Sequence, residues 1–101
     1  MLLFVKKHYA DLMRAGAKTL EIRAGTRYRN VHVGCVISIN GRDRYRVTAR
    51  QDFDTIDQLI EATQHAFRRI GIATMIEYRS RLLECYPDGS GPFFVWRVTM
   101  I

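Results

Sequence analysis

An ammonium, a hydroxyl, a carboxylate and a guanidinium crowd into the segment Gly16-Ala17-Lys18-Thr19-Leu20-Glu21-Ile22-Arg23. Leu20 and Ile22 alternate with Thr19, Glu21 and Arg23, the pattern of a half-buried strand whose polar face meets something wet. Gly16 ends a short helical pattern carried by Tyr9, Leu12 and Met13, so Lys18 falls at a turn just ahead of that strand. A lysine beside a carboxylate can polarise a carbonyl or hold an anion, or it can form a surface ion pair worth only about 0–1 kcal/mol. Arg23 falls on the same side as Glu21 and either pairs with it or positions a phosphate, a carbonyl or a base edge. The tripeptide Arg27-Tyr28-Arg29 has the composition for stacking and phosphate contact, and equally that of a solvated basic loop.

Other residue types capable of chemistry lack the neighbours they would need. His8, His32 and His65 have no Asp or Cys partner at a telling spacing, and Ser80 and Ser90 have no nucleophile-elbow context. The loop Gly89-Ser90-Gly91 lacks the flanks of a phosphate-binding loop. Cys35 and Cys85 stand apart without metal-type spacing and read as reduced, partly buried thiols of a cytoplasmic protein. No metal and no cofactor is expected. Phe94 and Trp96 share one face of the last strand and read as core.

The elements that must position Lys18 and Glu21 follow from periodicity. Leu2 to Val5 reads as a buried first strand, His8 to Ala15 as a helix, and Thr19 to Arg23 as the second strand. Cys35 to Ile39 and Tyr45 to Ala49 read as a hairpin turned by Asn40-Gly41. Phe53, Ile56, Leu59, Ile60 and Thr63 recur at helical intervals behind a cap at Asp54 or Thr55, and a second amphipathic helix runs from Thr74 to about Cys85. Thr74-Met75-Ile76-Glu77 has capping-box form, which gives Glu77 a structural reading of its own. The stretch Tyr86 to Pro92 breaks the chain before a closing strand from Phe93 to Met100. About five strands with two or three helices predict an α+β barrel, and a chain of 101 residues predicts one domain spanning 1–101. The apolar start Met1–Val5 stops at Lys6-Lys7, too short for a signal or a membrane span.

Sixteen Lys and Arg against ten Asp and Glu give a formal charge of +6, with Arg dominating the excess. Arginine pairs bidentately with phosphate and stacks on bases, so this surplus suits a nucleotide or nucleic-acid partner as well as a solvated basic surface.

The run Tyr9-x-x-Leu12-Met13-x-x-Gly16-x-Lys18-Thr19-x-Glu21-x-Arg23, followed by Val33-Gly34-Cys35-Val36-Ile37, resembles the signature of the ASCH domain over almost the whole chain. The resemblance implies a PUA-like β-barrel with a cleft between barrel and helices and an RNA or nucleoside ligand. Within that superfamily the small N4-acetylcytidine amidohydrolases use a Lys, a Thr and a Glu. Lys18 matches their lysine, and Glu77, nine residues before Tyr86-Pro87, stands where their glutamate lies. Their threonine falls three residues after the lysine, where this chain has Glu21; Thr19 matches a different position and does not replace it. The resemblance thus implies a metal-free amidohydrolase, monomeric and without cofactor, acting on a modified cytosine nucleoside. Lys18 would polarise the acyl oxygen, Glu21 would activate water and Glu77 would shuttle the proton, with Thr19, Arg23, Arg27, Tyr28 and Arg29 around the substrate. The alternative is a non-catalytic RNA-binding module in which Lys18, Arg23, Arg27 and Arg29 contact phosphates and bases in the same cleft.

Overall fold

The computed structural model describes residues Met1–Ile101. In chain order these form β1 (Leu2–Leu3), α1 (Lys7–Arg14), β2 (Leu20–Ala24), β3 (Val36–Ile39), β4 (Asp43–Thr55), α2 (Ile56–Thr63), α3 (Met75–Cys85) and β5 (Ser90–Met100), with 3-10 segments at Thr26–Tyr28 and Gln64–Ile70. One five-stranded mixed sheet has the order β1-β3-β4-β5-β2, with β1 parallel to β3 and every other pair antiparallel. The α+β class, the strand number and the three helices agree with the sequence.

The hydrogen-bonded sheet is not closed into a barrel. β1 contributes only two residues, and β1 and β2 are both edges. Side chains join them instead: Arg23 on β2 donates through Nη2 to the Phe4 carbonyl just after β1, at 3.0 Å. Ala10 and Met13 of α1 pack into the apolar cluster that Leu3, Ile37, Tyr45, Val47, Phe94, Trp96 and Val98 form on one face of the sheet. On the other face Phe93 and Val95 meet Ile56, Leu59, Ile60, Phe67, Ile72, Tyr78 and Leu82 from the helical layer. From Phe93 to Trp96 β5 is therefore buried on both faces, and Phe94 and Trp96 are core as their spacing predicts.

β4 extends well past the expected Tyr45–Ala49, and Phe53, which the helical pattern claims, pairs with Phe93 at its far end. A strand residue two positions ahead of a helix N-cap can reach the same apolar cluster as that helix's first turn, so the spacing from Phe53 to Ile56 fits both readings. β5 likewise begins at Ser90 inside the expected break. Gly91 permits this pairing: a Cβ there would stand 2.7 Å from the Phe53 carbonyl oxygen.

The two helices of the helical layer, α2 and α3, start on threonine caps. Thr55 accepts from the Gln58 amide in a complete capping box, and Thr74 accepts from the Glu77 amide. The helical layer is pinned internally by Thr63, whose hydroxyl contacts the Leu59 carbonyl at 2.8 Å and the Tyr78 hydroxyl at 2.6 Å. No helix is long and apolar enough to cross a membrane.

Candidate functional site at the free edge of the second strand

The segment that sequence singled out folds as a turn feeding an edge strand. Gly16 takes φ +81°, a left-handed conformation that L side chains resist, while the amides of Ala17 and Lys18 both bond the Leu12 carbonyl. This releases α1 into β2 and swings the Lys18 side chain back along the strand. On its inner side β2 pairs with β5 from Leu20↔Arg97 to Ala24↔Phe93. Its outer edge would otherwise expose backbone polar groups, and side chains cover it: the Lys18 ammonium donates to the Leu20 carbonyl, and the Tyr86 hydroxyl donates to the Ile22 carbonyl at 2.9 Å.

A cavity of about 380 Å³ lies over this edge, within the range usual for small-molecule sites. β2 and the turn before it supply Lys18, Thr19, Leu20, Glu21, Ile22 and Arg23; Phe4, Lys6 and Tyr9 come from the start of the chain. Phe67, Ile72, Tyr78, Arg81, Glu84 and Tyr86 come from the helical layer, and Tyr28 closes one end. The walls are mostly apolar; of the charged groups, Lys18, Glu21 and Arg23 come from β2 and the turn before it, and Lys6, Arg81 and Glu84 face them from the start of the chain and from α3.

Glu21 is the electrostatic centre. Its Cα partner is Trp96, so the side chain points toward the interior and is 94% buried, from a relative exposure of 6%. The Lys18 ammonium stands 3.7 Å from one carboxylate oxygen and the Arg23 guanidinium 3.7 Å from the other. Both distances allow Coulomb attraction but exceed a good hydrogen bond. Oε1 accepts from the Ile22 amide at 3.2 Å, whereas Oε2 is buried without any hydrogen-bond partner. A carboxylate has about four acceptor positions, so Glu21 retains capacity for a donor.

Tyr28 carries the next charge cluster. Arg27 stacks over its ring at 4.6 Å and donates to its hydroxyl, and Arg23 lies 5.9 Å from the same ring. Burial alone would push the Tyr28 phenol up, but the hydrogen bonds and charges of Arg27 and Arg23 outweigh it and hold it below the ordinary tyrosine value. Burial raises the phenols of Tyr78 and Tyr86, both of which line the cleft.

The structure brings Lys18, Thr19, Glu21, Arg23 and Tyr28 to one cleft. Arg27 reaches it only through Tyr28. Arg29 is exposed outside it, with its carbonyl accepting from Arg50 at 2.6 Å. Glu77 does not enter the cleft. It lines a separate depression with Thr74, Ile76 and Ser80, where its carboxylate accepts from the Ala73 amide at 3.2 Å and from Arg81 at 3.2 Å. Only half of the expected capping box forms: Thr74 accepts from the Glu77 amide, while the Glu77 carboxylate bonds the Ala73 amide one residue ahead of the cap. The carboxylate that α3 does bring to the cleft is Glu84, two turns further on, with Arg81 donating to the Tyr9 hydroxyl across it at 3.4 Å. Sequence reasoning missed Glu84 and Arg81; Tyr86 was visible only as half of the Tyr-Pro dipeptide. No cluster of His, Cys, Asp and Glu is placed to hold a metal ion.

No protein-family model and no curated protein matches the chain. Two solved structures share its fold. Hypothetical protein PH0355 superposes with a TM-score of 0.84 at 17% identity, over 99% of this chain and 97% of the other. Protein PF0455 from Pyrococcus furiosus superposes with a TM-score of 0.71 at 16% identity, over 99% of this chain and 96% of the other. At these identities the likeness is one of fold.

Proposed function

We propose that the chain is an ASCH-type, PUA-like domain whose cleft takes a cytosine nucleoside, and that Lys18 and Glu21 hydrolyse an acyl group from its N4 nitrogen. The observation that carries this reading is the buried Glu21 carboxylate, one oxygen without a partner, 3.7 Å from the Lys18 ammonium in a mostly apolar cavity. Apolar walls suit the faces of a base. A carboxylate with spare acceptor capacity suits the amide N–H or a water, and an ammonium beside it suits an acyl oxygen.

Two groups suffice for the chemistry. Glu21 takes a proton from water as its oxygen adds to the acyl carbon, and Lys18 stabilises the oxyanion that forms. The protonated Glu21 then returns that proton to N4 as the C–N bond breaks, giving the free amine and a carboxylic acid. Glu77 has no part in this scheme. The test follows the ultraviolet absorbance change as purified protein converts N4-acetylcytidine to cytidine, alongside Lys18→Ala and Glu21→Gln. Turnover by the wild type that falls about 100-fold or more in each variant supports the scheme. Turnover untouched by both variants refutes the roles given to them.

A second reading, a binding module without catalysis, is favoured by the position of Glu77 outside the cleft and the engagement of Lys18 with the Leu20 carbonyl. It expects cytidine to bind and N4-acetylcytidine to bind without turnover.

A further inference from the structure

The sheet face that continues from the cleft is uncovered and carries charge of one sign. β2 and β5 pair so that Arg97 is the partner of Leu20, a cleft residue. On the same face Thr99 follows Arg97 along β5 and pairs with Arg46 on β4, and Arg44 stands two residues before Arg46. Arg44, Arg46 and Arg97 are all exposed, alternating with buried Tyr45, Val47 and Val98. None of the three takes part in any ion pair. The acidic neighbours on these strands point the other way: Asp43 pairs with Arg14 of α1, and Asp52 with Arg50, whose guanidinium lies over Phe94.

Arg44 and Arg46 stand about 7 Å apart along the strand, and Arg46 and Arg97 about 7–8 Å apart on the diagonal. Like charges at that distance repel; Arg46 donates through Nη1 to the Gly34 carbonyl at 3.1 Å, but no carboxylate of the chain pairs with any of the three. Planar guanidiniums in a row present paired donors at intervals suited to successive phosphates. Resting on the reading of the cleft as a cytosine site, we infer that the substrate is a single-stranded polynucleotide: one cytosine enters the cleft beside Leu20, and the adjoining phosphodiester backbone runs across Arg97, Arg46 and Arg44. A free nucleoside would leave this row unused.

The test measures binding of a fluorescently labelled oligocytidylate by anisotropy at several salt concentrations, for the wild type and for Arg44→Gln/Arg46→Gln/Arg97→Gln. Circular dichroism melts verify that both fold. Three phosphate contacts on a single strand give a log–log salt slope of about −2, so a fourfold rise in salt weakens wild-type binding about 20-fold. The triple variant is expected to lose most of that slope while binding free cytidine as the wild type does. Equal slopes and affinities for the two proteins overturn the inference, as does binding of anionic phospholipid vesicles without binding of the oligonucleotide. Salt-dependent oligonucleotide binding through the arginines, with no binding of free cytidine, sinks the cleft reading alone and leaves the phosphate-binding face standing.

Discussion

Replacing Glu21 by Gln removes one charge and almost no volume, so its consequences report on electrostatics rather than packing. In the native protein the carboxylate sits 3.7 Å from both Lys18 and Arg23, whose side chains are 12% and 19% exposed. At an effective dielectric constant of about 20, each contact is worth roughly 4–5 kcal/mol of gross Coulomb energy. Desolvation of three partly buried charges offsets much of this, and the partners reach water, so the loss should fall below the ~3–5 kcal/mol seen when a fully buried pair is broken. A net cost of about 2–3 kcal/mol is expected, which lowers Tm by roughly 10–20 °C in a domain of this size. The protein stays folded at room temperature if its stability lies in the usual range of about 5–15 kcal/mol. Circular dichroism melts of wild type, Glu21→Gln, Lys18→Met and the double variant form a cycle, and the double variant should be more stable than additivity predicts by about 1 kcal/mol or more. A Glu21→Gln melt within about 2 °C of wild type, or strict additivity, would show that these charges are not coupled in the native cleft.

Thr63→Val strips the buried Tyr78 hydroxyl of its partner and should cost about 1–3 kcal/mol in urea denaturation, with less penalty when Tyr78→Phe is added. Glu77→Gln should weaken the start of α3 by about 1 kcal/mol or less and leave turnover of N4-acetylcytidine close to wild type, since Glu77 lies outside the cleft. Burial raises the folded-state phenols of Tyr78 and Tyr86 above the ordinary value of 10.0. The unfolded chain therefore releases these protons first as pH rises. Their stabilising contribution is complete below about pH 10 and is lost as pH climbs from there through the folded values. A chemical denaturation series across alkaline pH should show that fall, and a smaller one for Tyr78→Phe.

The polar face of β2 was legible because a period of two with Gly16 behind it admits few readings, and the fold delivers Lys18, Thr19, Glu21 and Arg23 to one cavity. The burial of Glu21 was not legible, because it depends on Trp96 lying opposite, a partner 75 residues away that only strand pairing supplies. The position of Glu77 turns on the rotation of α3. The Thr74 cap is local and readable, but the cleft receives the flank with Tyr78, Arg81, Cys85 and Glu84, and a helix with few buried residues does not announce that orientation. The barrel failed to close for a reason the sequence hides: Leu2 to Val5 looks like a strand, yet only Leu2 and Leu3 pair, and Phe4 uses its carbonyl to receive Arg23 instead. The length of β4 was obscured by Phe53, whose spacing served strand and helix alike.

The central claim is that the cavity over β2 holds a cytosine base against Glu21. Titrating cytidine into isotopically labelled protein and following backbone amide resonances by NMR tests it without relying on catalysis. Saturable shifts are expected along Thr19 to Ala24, at Tyr28 and at Tyr86, and they should vanish in folded Glu21→Gln. An unchanged spectrum, or shifts gathered around Thr74 and Glu77 instead, would contradict it.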